Sequence, residues 1–189
     1  MAHCCNAAGA LASLAEVGRF EGYASVFGRI DQGRDEIMPG AFARSLKARG
    51  AGGVKLLWQH DPREPVGVIE HIREDSHGLF VRGRLLGDVI RAREAQALLR
   101  AGALDGLSIG YKVRAAEVDA ARSVRRLIDI DLWEVSLVTF PMQPAARLTA
   151  IKARPAPDAP PDRYAKPTSS ALLASLQNLI HALNTGARP

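Results

Sequence analysis

Cysteine is scarce in this 189-residue chain: there are two, Cys4 and Cys5, and they are adjacent. Adjacent cysteines match neither a metal-ligand spacing nor a disulfide framework. His3 beside them adds little, and a frayed terminus in a reducing, cytoplasmic compartment is the simpler reading. Long apolar runs are also missing. No stretch of about 18 apolar residues occurs, so no transmembrane helix is expected. No basic region precedes the N-terminal Ala/Leu stretch, so no secretory signal is expected either. Positive charge is in excess, at net +5, but it is not concentrated. It is mostly arginine, and Arg125-Arg126 is the only adjacent pair. A scattered excess attracts acidic partners without building a groove-binding stripe, so nucleic-acid binding is not expected. No internal repeat is visible.

What is present is an ordinary apolar fraction, 47%, enough for the core of one main domain. Residues 1–16 form an Ala-rich N-terminal arm, and the domain spans 17–152. Val17 to Asp31 is strand-like. Pro39 predicts a short helix at its N1 position, with Phe42, Ser45 and Leu46 on one side, stopped by Gly50, Gly52 and Gly53. Val54 to Gln59 is a strand. Pro65 to Arg73 and Leu79 to Leu86 form a hairpin about the turn Asp75-Ser76-His77-Gly78. Asp88 is the expected N-cap of a second helix carrying Ile90, Ala97 and Leu98 and closed by Gly102. Strands from Leu107 to Val118 and from Val124 to Phe140 follow. Many strands and two short helices predict an α+β, mainly β domain, a barrel or sandwich with helices outside. Residues 153–170 are a Pro/Ala-rich linker, with five prolines between 153 and 167. In 171–189 the leucines repeat at helical spacing, predicting an amphipathic helix that docks on the domain or waits for a partner.

Three segments put a chemically useful side chain in or at the end of an apolar run. They are Trp58-Gln59-His60-Asp61, Gly106-Leu107-Ser108-Ile109-Gly110-Tyr111 and Leu132-Trp133-Glu134-Val135-Ser136. An imidazole, a hydroxyl and a carboxylate are the minimum set for serine-based acyl transfer. The hydroxyl is a weak nucleophile until a base takes its proton, and the base needs a third group to orient it. Ser108 sits in a formal G-x-S-x-G, but this is not the α/β-hydrolase elbow. No helical pattern follows it, and His181 is the only later histidine. Leu107, Ile109, Tyr111 and Val113 alternate with Ser108, Gly110 and Lys112, so Ser108 lies on a strand face flanked by glycines. That face is open for a substrate chain to approach. His71 and His77 compete with His60 but do not end apolar strands. Glu134 needs a hydrogen-bonded partner in so apolar a run, either one of the arginines or His60. Simple alternation puts it on one face with Ile130, Leu132, Ser136 and Val138. Ser136 is a rival nucleophile with no glycine to open a path to it.

These segments, with Phe20-Glu21-Gly22-Tyr23-Ala24, Met38-Pro39-Gly40-Ala41-Phe42 and the run to Pro141, resemble the prohead proteases of tailed bacteriophages. That family is distantly related to herpesvirus assemblin. The resemblance covers about Phe20 to Ile151. It implies an assemblin-like closed, mostly antiparallel β-barrel with helices around it. It also implies a serine endopeptidase that cuts scaffold and major capsid protein segments, and itself, inside an assembling head in a bacterial cytoplasm. The family's histidine falls on His60, its nucleophile on Ser108 and its third member on Glu134. No metal or organic cofactor is implied, and self-association is expected. The origin could be a phage, a prophage or a gene transfer agent. The rival class is a non-catalytic scaffold or capsid-assembly protein acting through its C-terminal helix.

Overall fold

A strand whose residues alternate between two environments needs partners on both edges, and most strands here find them in one sheet. The computed structural model describes residues 18–152. In chain order it contains β1 (Arg19–Val26), β2 (Asp35–Ile37), helix α1 (Ala43–Gly53), β3 (Lys55–Trp58), β4 (Asp61–Glu74), β5 (Gly78–Leu85), helix α2 (Ile90–Arg100), β6 (Gly106–Asp119), β7 (Val124–Val138) and β8 (Leu148–Lys152). The N-terminal arm, the linker and the C-terminal helix read from the sequence lie outside the described residues.

The strands form one mixed sheet in the order β2-β7-β3-β4-β5-β1-β8, with β6 also paired to β7. The expected antiparallel pairing holds for β1·β5, β1·β8, β3·β4, β4·β5 and β6·β7. It fails on β7, where β2 and β3 both lie parallel. β6 covers one edge of β7 along its length, while β2 (at 125–127) and β3 (at 134–137) divide the other. The ladders do not run continuously around a closed barrel. Between β6 and β8 the described strands leave a seam crossed by an isolated bridge, Gly106 to Arg147.

The core face of the β6–β7 hairpin carries Leu107, Val135, Leu137, Leu132 and Ile130, each fully buried. With Phe42, Leu56, Val66, Leu79 and Val81 they form one cluster. Each such side chain contributes about 1.5–3 kcal/mol by leaving water. Helix α1 packs on β4 and β7, and α2 on β4 and β5. Both helices depart from the sequence reading. Pro39 and Gly40 make a turn and α1 starts later, at Ala43, with the N–H of its N-cap Phe42 donating to Glu74 Oε1 at 2.9 Å. It continues to Gly53 through a non-helical Gly50. Val89, not Asp88, is the N-cap of α2, with no side-chain cap. Its buried face is Ala92, Ala95, Gln96 and Leu99, whereas Ile90 and Leu98 are exposed. Gly102 follows the helix with φ 69°, as expected of its end.

Candidate active site

The site is built on the central strand β7 and its two neighbours. Ser108 on β6 pairs with Ser136, and Gly110 with Glu134. On the opposite edge, β3 pairs Lys55 with Glu134 and Leu57 with Ser136. The β3–β4 turn therefore lands beside the acid. That turn is Gln59-His60, between the paired residues Trp58 and Asp61, with φ of 50° and 63°. Positive φ at both central residues is the pattern of a type I′ hairpin. Neither residue is glycine, so the turn carries a conformational cost that its neighbours must over-determine. They do so by several bonds. The Gln59 N–H donates to the Leu137 carbonyl at 3.0 Å, and Gln59 Nε2 donates to Thr139 Oγ1 at 2.9 Å. The His60 N–H donates to Ser136 Oγ at 3.1 Å.

The imidazole is oriented by the acid: His60 Nδ1 donates to Glu134 Oε1 at 2.6 Å. Its Nε2 has no hydrogen-bond partner among the described residues. Glu134 is 8% exposed, and its second oxygen accepts from Ser136 Oγ at 2.6 Å. The carboxylate is thus buried with both oxygens satisfied, as its burial demands. None of the described arginines pairs with it. Asp61, the acid next to His60 in sequence, is engaged elsewhere. Its hydrogen bonds from Arg63 hold its carboxyl down at about 2.

Ser108 and His60 line one cleft of about 160 Å³, together with Ser25, Asp31, Tyr111 and Gln143. Ser108 is 6% exposed, and its hydroxyl has no hydrogen-bond partner among the described residues. The structure joins His60 to Glu134 directly; it brings Ser108 to the same cleft without a hydrogen bond to His60. His71 and His77 are not in this cleft; His77 packs edge-on against Tyr23, with centroids 4.4 Å apart. Ser136, the rival nucleophile, is fully buried and its hydroxyl hydrogen is committed to Glu134. A larger cavity of about 270 Å³ lies elsewhere, lined by two ion pairs, Arg19 with Glu70 and Arg82 with Glu21.

Two expectations about this strand pair need correction. Simple alternation put Glu134 on one face with Leu132. The register skips at Trp133: Gly110 pairs with Glu134, but the next residue, Tyr111, pairs with Leu132. Consecutive residues of β6 face opposite ways, so Leu132 and Glu134 do too. This β-bulge leaves Leu132 in the core and turns the carboxylate to the face of Ser108. It also leaves Trp133 52% exposed. The Leu132 N–H beside the bulge is taken by Ser45 Oγ of α1 at 2.9 Å. The second correction concerns the glycines. A Cβ on Gly110 would lie 2.8 Å from Glu134 Cγ and 2.9 Å from its Cδ. A Cβ on Gly106 would lie 2.9 Å from Pro141 Cδ and crowd the Val138 carbonyl. The space they leave is filled by the protein's own groups, above all the catalytic candidate Glu134, and not left open for a substrate chain.

Further polar residues under the cleft escaped the sequence reading. Asp35, 6% exposed, takes a bidentate Arg125 at 2.8 and 2.6 Å and the Tyr111 hydroxyl at 3.2 Å. Arg125 is therefore the counter-ion of a buried acid, not a plain surface charge. Burial pushes the Tyr111 hydroxyl well above its ordinary value. Burial also pushes the Asp31 carboxyl up, against the lowering effect of the Asp35 and Gly33 N–H groups. The sequence signal for these residues was weak: acids between the first predicted strand and the first helix, and one member of an arginine pair. Among the described residues no cluster of three or more His, Cys, Asp or Glu is placed to hold a metal ion. No described helix is long and apolar enough to cross a membrane.

The arrangement has relatives. The prohead protease of Enterobacteria phage HK97 is 36% identical over 137 residues, 71% of this chain and 60% of that protein. The prohead protease of Escherichia phage T5 is 30% identical over 86 residues, 46% of this chain and 40% of that protein. The chain thus spans 60% or less of the length of these two relatives. The bacteriophage T4 capsid assembly protease superposes with a TM-score of 0.51 at 15% identity, covering 64% of this chain and 83% of that one, a likeness of fold. The family profile described as caudovirus prohead serine protease matches residues 10–157, a span that takes in the β3–β4 turn, β6 and β7. On that match, which takes in most of its length, the chain belongs to the caudovirus prohead serine protease family.

Proposed function

We propose that this chain is a serine endopeptidase of phage-type head maturation, acting on major capsid protein and scaffold segments and on itself, with His60, Ser108 and Glu134 as its catalytic triad. The observation that carries the reading is the 2.6 Å bond from His60 Nδ1 to a buried Glu134, in a turn that lines the same cleft as Ser108. With Nδ1 committed to the acid, the lone pair of His60 sits on Nε2, the atom that must take a proton from the nucleophile. Ser108 Oγ loses its proton to Nε2 and attacks the scissile carbonyl carbon. Glu134 balances the imidazolium charge. His60 then protonates the leaving amine, and water hydrolyses the acyl-enzyme by the same route in reverse. Each step moves one proton between named atoms and needs no cofactor. The fold is read as a variant of the assemblin-type barrel, supported by the Gly106–Arg147 bridge across the β6–β8 seam. The working place is the assembling prohead in a bacterial cytoplasm, of a phage, a prophage or a gene transfer agent, with self-association of the protease there.

A fluorophosphonate probe tests the chemistry. Labelling of the wild type at Ser108, lost in Ser108→Ala, is expected, with new termini appearing in a co-expressed capsid protein by mass spectrometry. A wild type that stays unlabelled and leaves the capsid protein intact would return the chain to the class of non-catalytic assembly proteins.

A further inference from the structure

Ser136 has no exposed surface, lies between Val135 and Leu137 in the apolar strand β7, and yet makes two polar bonds. A serine hydroxyl has one hydrogen to give and lone pairs to accept with. Here the hydrogen goes to Glu134 Oε2 at 2.6 Å, and the oxygen accepts the His60 N–H at 3.1 Å. The first distance is that of a charge-assisted O–H···O⁻ bond. The bonds close a ring: the His60 backbone to Ser136, Ser136 to Glu134, Glu134 to the His60 imidazole. A buried hydroxyl is costly unless bonded, and an apolar side chain would serve the strand alone equally well. The position is therefore set by what the hydroxyl holds.

We propose that Ser136 is a positioning residue of the active site, acting through Glu134 and the His60 turn. This rests on the reading of His60 and Glu134 as base and orienting acid. It fixes the carboxylate rotation that offers Oε1 to Nδ1, and it pins the backbone of a non-glycine residue with φ 63°. It also tunes the pair. A donor on a carboxylate favours the charged form. Without it the His60–Glu134 pair holds its proton more tightly, so the acid limb of the activity profile moves to higher pH.

The test uses the full chain and the rate of fluorophosphonate labelling at Ser108 as a function of pH. Ser136→Ala is expected to label about 10- to 100-fold more slowly, as for a misplaced catalytic group. Its acid limb should move up by about one pH unit, the scale of one lost bond to a charged group. Ser136→Thr, which keeps the hydroxyl, should restore the limb. Ser136→Ala added to Glu134→Gln should cost less than it does in the wild type, because only the bond to the His60 N–H is then left to lose. A role in packing alone would lower the rate at every pH, leave the limb in place and multiply with Glu134→Gln; either result overturns the proposal. Should Ser136→Ala lose its fold by circular dichroism, Ser136→Cys replaces it, because a thiol fills the space but donates weakly, and the same shift is expected. His60 is also titrated by NMR in the Ser108→Ala background, with and without Ser136→Ala, where the same upward shift is expected. An unlabelled wild type with a shifted His60 would sink the protease reading and leave the positioning role standing. A labelled wild type with an unmoved limb and an unmoved His60 would do the opposite.

Discussion

Gly110→Ala is the smallest change that separates the two explanations of the glycine-flanked serine. The added methyl would sit 2.8 Å from Glu134 Cγ and 2.9 Å from Cδ, distances that real Cβ atoms do not show. The strand backbone is held by β7, so the glutamate must give way. Its Oε1 is then displaced from His60 Nδ1, and Oε2 from Ser136. Overpacking of this kind costs about 1–3 kcal/mol. For a chain of this size that lowers Tm by about 2–12 °C. The effect on turnover should be larger. A misplacement of about 1 Å costs about 100-fold, and loss of the acid's function about 10,000-fold, so a fall in kcat between these is expected. Gly106→Ala is the control, since its methyl meets Pro141 and the Val138 carbonyl and does not touch Glu134. It should lower Tm comparably and kcat much less per folded molecule. Melting curves, beside turnover of a capsid-derived peptide corrected for folded fraction, decide the matter. Equal losses of kcat in the two variants, or full activity in Gly110→Ala, would refute the argument that Gly110 exists to seat Glu134.

Glu134→Gln should fold normally and lose about 10,000-fold in kcat, because the amide cannot balance an imidazolium and can favour the wrong tautomer; turnover close to wild type would remove Glu134 from the triad. Asp31→Asn should raise stability at neutral pH. Burial raises the folded-state value of this carboxyl above its unfolded one, so its charge costs stability once pH rises through that window, and the asparagine carries no charge. Melting curves of the two proteins should converge below the usual carboxylate range, and a variant less stable than wild type at pH 7 contradicts the sign. Self-cleavage is expected in or near 153–170, the stretch whose Pro/Ala-rich composition reads as a linker. Intact-mass analysis of wild type beside Ser108→Ala should show loss of the following residues in the wild type alone, and identical masses would reject it.

Much of the site was legible because its signals are local. The alternation from Leu107 to Val113 puts Ser108 on the non-core face by geometry alone, and the strand bears it out. An ionisable residue in an apolar run must have a partner, and Glu134 has two. A histidine followed by Asp61-Pro62 reads as the end of a strand, and His60 is in a two-residue turn. What could not be read locally is register. The skip at Trp133 depends on how β7 meets β6, and it reverses which residues share a face with Glu134. The parallel pairing of β3 with β7 carries no sequence mark, yet it brings His60 within 2.6 Å of an acid 74 residues away.

The same division explains the helices and the glycines. Periodicity located α2, but its buried face was set by where β4 and β5 lie, so Ile90 and Leu98 stayed exposed and Gln96 went in. A glycine announces only a missing side chain. Whether the vacancy at Gly110 receives a substrate or the protein's own Glu134 depends on the strand beside it. By itself the sequence determined a mainly β chain with two short helices, the family, and the three side chains worth testing. The elements and the side chains follow from residue type, spacing and order, and the family from a resemblance of whole segments. Tertiary structure alone decided the mixed sheet with its bridged seam, the bulge that aims the carboxylate, the pairing of Arg125 with Asp35, and the role of Ser136. Each of these is a contact between segments far apart in the chain, and a contact of that kind is chosen by the packing of the whole sheet.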